Sequence, residues 1–295
     1  MMVSMNRLSG EKRRQVVGCL VEGMSIRATV RVTGVAKNTI VRLLVDLGAA
    51  ASEYLDRALV NLPCERIQVD EIWSFVGAKD KNLPPEKQGR GDVGSVWTFV
   101  ALDADTKLVP SWFVGPRDYG SAAIFLMDLH RRLASRVQLT TDGWGVYPAA
   151  VEDEFGADVD YAIVVKEYGS DSGTTHADTK YSPGRVLSCE FAVKQGDPDM
   201  AHASTSYVER QNLTMRMGMR RFTRLTNAFS KKIENHAAAV SLHFAYYNLC
   251  RPHQTLSKPY PRTPAMAAGV EDHVWSLDEL VALLEVREGE PQRRQ

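Results

Sequence analysis

The 295-residue sequence predicts an α/β fold, in which a small all-α domain precedes a mixed five-stranded sheet with helices on its faces. Two observations carry this prediction. Apolar residues recur at helical spacing through the first segment, and from Cys64 the pattern becomes that of strands. The segments then run strand, strand, strand, helix, strand, helix, strand, insertion and helix, an order that packs helices against a sheet.

The first three predicted helices have the pattern of a helix-turn-helix domain. Ser9 and Ser25 cap the first two helices, which end at about Gly23 and Val32. A turn containing a glycine precedes the third helix, which starts at about Lys37. In such a motif the N-terminal residues of the third helix enter the major groove of DNA. The residues expected to face DNA are Lys37, Asn38, Thr39 and Arg42, and a helical dimerisation bundle is the alternative.

The strands and helices of the sheet follow a linker that closes the first domain at residue 62. The predicted strands are Arg66–Val76, Ser95–Leu102, Lys107–Val114, Val137–Thr141 and Tyr161–Val165, and the predicted helices between them are Tyr119–Ala134 and Trp144–Phe155. A connection of some forty residues, about 166–205, is too long for a plain loop and indicates an inserted element. Its alternating run from Leu187 to Val193 is consistent with an extra strand.

Helices return after the insertion. A basic helix starts at Tyr207, a long helix spans Phe229–Leu249, and a last short helix spans Leu277–Val286. The predicted domains are therefore 1–62 for the helix-turn-helix and linker, 63–268 for the sheet domain with its insertion, and 269–295 for a C-terminal helix and tail.

Three acidic residues are candidates for one site. Asp70 lies in an apolar strand, where an unpaired carboxylate is costly to bury. Asp142 follows the fourth strand, at the sheet edge where folds of this kind bind ligands. Glu209 is the only acid of the basic helix. If they converge, a divalent cation such as Mg²⁺ or Mn²⁺ relieves their repulsion. The alternatives are an edge strand with its acids in water and a helix N-cap role for Asp142.

Composition and cysteine spacing restrict the class of protein. The chain is 44% hydrophobic and 24% charged, as in ordinary globular proteins. No apolar run approaches the ~18 residues of a membrane span, and the start has no secretory signal. Cys19, Cys64, Cys189 and Cys250 form no C-x-x-C pair, which argues against a zinc ribbon and for reduced thiols. We therefore expect a cytoplasmic protein without a membrane partner.

The net charge of zero conceals two basic segments. Residues 1–48 carry eight Lys or Arg against three acids, and residues 209–232 carry seven against Glu209 alone. The basic residues of the second segment are Arg210, Arg216, Arg220, Arg221, Arg224, Lys231 and Lys232. Two such segments in a neutral protein suggest a polyanion bound at two places, although solvated helix faces would give the same pattern.

Four motifs together resemble a known family. These are Gln68–Trp73, Thr140–Gly143, Tyr207–Asn212 and Tyr247–Leu256, in that order. They resemble the DDE transposases of bacterial insertion sequences, most closely the IS-one type, whose catalytic core is shared with ribonuclease H and retroviral integrases. The resemblance covers about residues 64–268 and the helix-turn-helix before them, and it implies a ribonuclease H-like sheet.

The resemblance also implies an activity. Asp70, Asp142 and Glu209 would hold two Mg²⁺ ions, with Mn²⁺ as a substitute, and water and then a 3′-hydroxyl would be the nucleophiles that cut element ends and join them to target DNA. Arg220, Arg224, Lys231 and His236 would contact the cleaved strand. The partners would be double-stranded DNA and at least one further copy of the chain, in the bacterial cytoplasm and nucleoid.

Two departures from the family and two alternatives accompany this interpretation. The zinc-finger cysteines at the start of some relatives are absent, and the insertion before Glu209 lengthens the second spacing. The alternatives are a DNA-binding regulator derived from a transposase and a ribonuclease H-like nuclease that hydrolyses without joining. Glu71 is expected on the face of the strand opposite to Asp70, paired with a neighbouring Arg or Lys.

Overall fold

The computed structural model describes residues 8–169, 186–223 and 226–289, and no helix in these residues is long and apolar enough to cross a membrane. The described helices are α1 Gly10–Val21, α2 Ile26–Thr33, α3 Lys37–Ala58, α4 Tyr119–His130, α5 Tyr147–Phe155, α6 Ser206–Gly218, α7 Ile233–Ala245, α8 Pro264–Ala267 and α9 Leu277–Gly289. A π-helical turn, Tyr246–Cys250, follows α7 directly.

Within the described residues, six strands form one mixed sheet in the order β3-β2-β1-β4-β5-β6. They are β1 Arg66–Val76, β2 Gly94–Asp103, β3 Trp112–Gly115, β4 Val137–Asp142, β5 Val159–Tyr168 and β6 Val186–Gln195. β4 is parallel to β1 and to β5, whereas β2–β3 and β5–β6 are antiparallel. The mixed α/β architecture predicted from the sequence is thus confirmed.

The predicted number of five strands is wrong, because the insertion supplies a sixth. β6 pairs along β5 at the edge of the sheet, and most of its side chains are exposed on both faces. Leu187, Phe191 and Val193 are among the exposed apolar residues of the chain. Their alternation therefore does not mark burial against a core. This is why the alternating pattern alone could not decide whether the segment is a strand.

The chain divides into two compact units. The first, here called the sheet unit, comprises Val60–Ser74 and Val96–Leu213. Its core includes Phe99, Phe125 and Leu139, all fully buried, and α4 packs on α5 and on β3. Helices thus cover the sheet with apolar side chains, and polar residues lie where the β1–β4 ladder ends.

The second compact unit, the helical unit, comprises Met1–Leu59, Phe75–Ser95 and Thr214–Gln295. In it α3 packs along α7 and α9, and α1 packs on α9. Gly48 of α3 approaches α7 closely, since a Cβ added there would lie 2.3 Å from the carbonyl oxygen of Ala238. The predicted functional domains, 1–62, 63–268 and 269–295, divide the chain differently and stay a prediction.

The first three helices begin where the sequence indicated. The Ser9 hydroxyl accepts a hydrogen bond from the Lys12 N–H at 3.3 Å, and the Ser25 hydroxyl accepts one from Ala28 at 3.2 Å. Gly34 ends α2 with a φ of 71°, a left-handed conformation that glycine adopts without a steric penalty. Local capping chemistry therefore fixes this part of the chain.

Candidate active site

Carboxylates from two adjacent strands of the sheet lie together where the pairing of these strands ends. The β1–β4 ladder ends at the pair Val69–Thr141, so Asp70 follows the last pair on β1 and Asp142 ends β4. One carboxylate oxygen from each of Asp70, Glu71 and Asp142 lies within 4.8 Å of the others. Three hard oxygen donors at this spacing fit a divalent cation such as Mg²⁺ or Mn²⁺.

Asp70 is the most perturbed of these acids. Burial, followed by the charges of Glu71 and Asp142, raises its pKa to about 7. Two hydrogen bonds oppose the shift, one from the Glu71 N–H at 2.8 Å and one from the Asn212 amide at 2.8 Å. Because β1 lies between β2 and β4, the alternative of an edge strand with its acids in water is wrong.

Asp142 is held by the loop that follows β4. Its Oδ1 accepts a hydrogen bond from the Trp144 N–H at 3.0 Å. Burial raises its pKa; the Glu209 charge adds to the shift, while the charges of Arg117 and Lys166 oppose it. Helix α5 begins only at Tyr147, with Val146 as its N-cap, so the helix-capping alternative for Asp142 is wrong.

Glu71 is paired with an arginine, as expected from the sequence. Its side chain is 1% exposed, and its Oε1 accepts from Arg117 Nε at 2.5 Å while its Oε2 accepts from the Tyr147 hydroxyl at 2.9 Å. Glu71 was expected on the face of β1 opposite to Asp70, yet one of its carboxylate oxygens lies within 4.8 Å of those of Asp70 and Asp142. The β1–β4 ladder has ended before Asp70, so both side chains reach the space beside Asp142.

Arg117 lies in the connection between β3 and α4, and its guanidinium contacts two indole rings. Its Cζ is 4.8 Å from the ring centroid of Trp97 and 4.6 Å from that of Trp144. Its Nη2 also lies 4.0 Å from Asp142 Oδ2, beyond hydrogen-bonding distance. Aromatic faces and a carboxylate therefore fix this cation beside the acidic group.

Helix α6 is attached to β1 by two polar contacts. The Gln68 side-chain oxygen accepts hydrogen bonds from the N–H groups of Tyr207 at 2.9 Å and Val208 at 3.2 Å, which satisfies donors at the helix N-terminus. One helical turn further on, Asn212 donates to Asp70. Gln68 and Asp70 are two residues apart and so share one face of β1.

Glu209 lies on α6 outside the group of three carboxylates. Its Oε1 accepts a 2.6 Å hydrogen bond from the Thr205 hydroxyl and forms an ion pair with Lys166 of β5. Its side chain is 42% exposed, and its charge contributes to the raised pKa of Asp142. Of the three predicted catalytic acids, the structure therefore brings Asp70 and Asp142 together, and it places Glu209 close enough to affect Asp142 electrostatically.

Several of the residues predicted to bind DNA lie at the surface. On α3, Lys37, Asn38 and Arg42 are exposed and Thr39 is half-buried. Further along the chain, Arg210, Arg220 and Lys231 are exposed and Arg216 is half-buried, while Arg224 lies outside the described residues.

Arg221 and His236 instead form interior contacts of the helical unit. Arg221 Nη1 donates to the Ser230 hydroxyl and to the Asn235 carbonyl, both at 2.8 Å, and burial lowers its pKa to about 10. His236 is fully buried against Phe222, at 5.0 Å between ring centroids, and burial lowers its pKa to about 3. His236 therefore presents no surface to DNA in this structure.

Sequence reasoning missed five residues of the site. They are Trp97, Arg117, Trp144, Tyr147 and Lys166, which come from four separate segments of the sheet unit. No motif spacing relates them, because the sheet brings them together. Asn212 is different, because the sequence does give a local signal for it: it lies three residues after Glu209 and shares the same face of the helix.

Comparisons with known proteins gave structural similarities only. No protein-family model matches the chain, and no curated protein matches it in sequence. A piggyBac transposase synaptic complex with hairpin DNA is similar at 11% identity and a TM-score of 0.43, covering 99% of this chain and 76% of that one. A Mos1 transposase paired-end complex is similar at 13% identity and a TM-score of 0.23, covering 55% and 61%. These identities and TM-scores are too low to assign a function.

Proposed function

We propose that the chain is a DDE transposase, related to the IS-one type of bacterial insertion sequences. It would bind the ends of an insertion element, cleave DNA strands and join the 3′-hydroxyl ends to target DNA. The observation that carries the proposal is the carboxylate group where the β1–β4 ladder ends, with the Glu209 helix anchored on β1. Its acids occupy the motifs that resemble this family.

The proposed metal ligands are Asp70, Asp142 and Glu209. Divalent ions held in pairs about 3.5 to 4 Å apart activate the attacking oxygen and stabilise the leaving oxygen of a phosphoryl transfer. Within the protein, Asn212 and the Glu71 N–H orient the Asp70 carboxylate, and the Trp144 N–H orients that of Asp142. The ion pair with Lys166 holds Glu209 near this group until a cation competes for it.

The proposed reaction needs no external source of energy. In the first step water attacks the phosphorus at the element end, and the P–O3′ bond breaks to leave a 3′-hydroxyl. In the second step that hydroxyl attacks a target phosphodiester, so one P–O bond forms as another breaks and the target's 3′-oxygen leaves. Both steps are in-line displacements, which one carboxylate site can serve in turn.

DNA recognition is assigned to the basic segments. We propose that Lys37, Asn38, Thr39 and Arg42 at the N-terminus of α3 read the element end, as in a helix-turn-helix protein. Arg210, Arg216, Arg220 and Lys231 would bind phosphates, a contact whose affinity falls with salt. Because two element ends must be held together, the active form on DNA would be at least a dimer, in the bacterial cytoplasm and nucleoid.

Strand transfer is the test of this function. The purified protein would be incubated in Mg²⁺ with a duplex that carries the terminal inverted repeat flanking the gene, together with target DNA. We expect joined products with the wild type and none with Asp142→Asn. Asp158→Asn is the matched control, because Asp158 is an exposed carboxylate of the same sheet unit.

The outcomes separate the alternatives. Full joining activity in Asp142→Asn would refute the catalytic assignment. Specific binding without any cleavage would identify a DNA-binding regulator, and nicked product without joining would identify a hydrolytic nuclease. Sedimentation of the protein on paired ends tests the assembly, and a single protein copy there would contradict the proposed dimer.

A further inference from the structure

We propose that Arg117 binds a DNA phosphate beside the carboxylate group and that Glu71 positions Arg117 instead of holding a metal ion. This inference rests on the proposed function, because it supplies the substrate-binding residue for that site. It is carried by the contacts of Arg117, whose orientation is fixed on three sides while its remaining N–H groups are left for a ligand.

The guanidinium is held by two indole rings and along one edge. Its Cζ lies over the rings of Trp97 and Trp144, and Glu71 takes the Nε and Nη2 edge. Three such contacts restrict rotation of the planar group far more than a single ion pair does. The direction in which the remaining N–H groups point is thus set before any ligand arrives, which lowers the entropic cost of binding.

The free part of Arg117 can take an anion. Among the described residues, Nη1 has no hydrogen-bond partner, and the side chain remains 34% exposed. Nη2 is 4.0 Å from Asp142 Oδ2, which places the group next to the acids. In the proposed reaction on DNA, the anion beside a cation on these carboxylates is a backbone phosphate, with which arginine forms strong charge-assisted hydrogen bonds.

The contacts of Glu71 favour a positioning role. Both of its oxygens are engaged, one by Arg117 and the other by Tyr147, and the side chain is almost fully buried. Its charge is therefore compensated by a cation already present. Asp70 differs, since its hydrogen-bond donors are the Glu71 N–H and the Asn212 amide, which are both neutral. A metal ion gains more from Asp70 and Asp142 than from Glu71, a buried carboxylate whose charge Arg117 already compensates.

The phosphate contact is tested by pairing protein variants with neutral phosphates. Single methylphosphonates would be placed at successive positions around the cleavage point of the terminal-repeat duplex, and the cleavage rate measured in Mg²⁺. We expect one position at which the neutral phosphate slows the wild type by about 10²-fold. In Arg117→Gln, native DNA should be cleaved slowly and that same methylphosphonate should cause no further loss, because the two changes remove one interaction.

Three further variants make the phosphate test specific. Arg117→Lys should recover part of the rate, since it keeps the charge but loses the planar fork. Glu71→Gln should weaken the coupling to the same phosphate although Arg117 is present. Arg136→Gln, which removes an arginine paired with Asp160 in the same unit, should retain the full methylphosphonate effect.

Metal binding is measured separately by terbium luminescence, which the adjacent Trp144 can sensitise. Asp70→Asn should lower terbium affinity by more than about tenfold. The double variant Glu71→Gln/Arg117→Gln removes one charge of each sign and should keep affinity within about threefold of the wild type. An equal loss in the double variant and in Asp70→Asn would make Glu71 a metal ligand and overturn its positioning role.

The outcomes distinguish the inference from the proposed function. If the wild type cuts the duplex and Arg117→Gln remains sensitive to every methylphosphonate, the phosphate contact is refuted and the transposase proposal stands. If the wild type cuts no duplex that carries the repeat, the proposed function fails and the phosphate contact fails with it. The terbium comparison decides the role of Glu71 in either case.

Discussion

Asp70 combines burial with two neighbouring carboxylates, and this combination sets its chemistry. A buried acid near like charges holds its proton more tightly than an exposed one, so the pKa of Asp70 rises to about 7. A divalent cation binds the ionised form and must displace that proton. The residue that is costly to keep ionised is therefore the one on which metal binding would depend.

A pH dependence of metal affinity follows. Below about pH 7 Asp70 carries its proton in the metal-free protein, so affinity should fall by about tenfold for each pH unit of further acidification. Above that pH the dependence should flatten. Terbium titrations across this range would measure it, with Asp70→Asn as the control that lacks the transition. An affinity independent of pH between about 6 and 8 would mean that Asp70 is not the controlling ligand.

Lys166 competes with cations for Glu209. It forms an ion pair with that carboxylate, and its charge also opposes the raised pKa of Asp142. We expect Lys166→Met to raise Mg²⁺ affinity by about threefold to tenfold, because one unit of positive charge leaves the site. Isothermal titration would measure the change. Arg136→Met is the control, and an unchanged affinity in Lys166→Met would place Glu209 outside the metal site.

Individual residues were predictable where chemistry lies within a short motif. Asp70 and Asp142 could be selected because a strand-borne acid and a strand-end acid are both unusual. Arg117, Trp97 and Lys166 could not, because their roles arise only when β2, the β3–α4 connection and β5 are placed around β1 and β4. The ion pair between Glu209 and Lys166 could likewise not be predicted from the sequence.

At the scale of elements, α7 carries two buried histidines. Burial, and then the charge of Arg221, lowers the pKa of His236 to about 3; burial, and then the charge of Arg251, lowers that of His243 to about 4. The unfolded chain takes up these protons near pH 6.5, before the folded chain does. Stability is therefore complete above about pH 6.5 and is lost as the pH falls towards the folded values.

This loss has a measurable size. At pH 5 each histidine should lower the free energy of unfolding by about 2 kcal/mol relative to neutral pH. Urea unfolding at several pH values measures the slope, and His243→Gln should reduce it by about half. His202→Gln is the control, because His202 is an exposed residue paired with Asp199. An unchanged slope in His243→Gln would show that this histidine already carries a proton in the folded protein.

The contact between α3 and α7 depends on a glycine. A Cβ at Gly48 would lie 2.3 Å from the Ala238 carbonyl oxygen, a distance that only backbone movement can relieve. We expect Gly48→Ala to destabilise the helical unit by about 2 kcal/mol or more, despite the better helix propensity of alanine. Thermal unfolding measures this. Gly10→Ala is the matched control, since nothing lies within 4 Å of a Cβ at the first residue of α1, and a similar effect there would contradict the packing argument.

The elements themselves were largely predictable because their signals are local. Hydroxyl caps at Ser9 and Ser25 fixed two helix starts, because each serine hydroxyl accepts a hydrogen bond from the backbone N–H three residues further on. The number of strands was not predictable. β6 is held by backbone pairing to β5 and not by a buried face, so no periodicity distinguishes it from a loop.

At the scale of the whole molecule, a mixed sheet with helices before and after it could be predicted from the sequence. The packing of the N-terminal helices with α7 and α9 in one compact unit could not be predicted. That packing depends on residues almost two hundred positions apart in the chain, such as Gly48 and Ala238, and no local sequence pattern relates them. The sheet unit, by contrast, contains the entire carboxylate group, so its stability should respond to changes in that group.

A carboxylate group built for a cation should destabilise the protein when no cation is present. The half-buried Asp70 lies beside Glu71 and Asp142, and the three negative charges repel one another when all are ionised. Since the folded state raises the pKa of Asp70, this residue lowers stability progressively as the pH rises from about 4 to about 7. Asp70→Asn removes the repulsion and should raise the free energy of unfolding of the metal-free sheet unit by about 2 kcal/mol at pH 8.

Saturating Mg²⁺ should reverse this order. The wild type gains stability by mass action when the cation binds the folded state, and its melting temperature should rise with Mg²⁺ concentration. Asp70→Asn, which lacks a ligand, should show little rise, whereas Asp158→Asn should respond as the wild type does. Differential scanning fluorimetry with EDTA and with Mg²⁺ would measure all three proteins. If Asp70→Asn were less stable than the wild type in EDTA at pH 8, the Asp70 carboxylate would be a stabilising group and its assignment as a metal ligand would lose its physical basis.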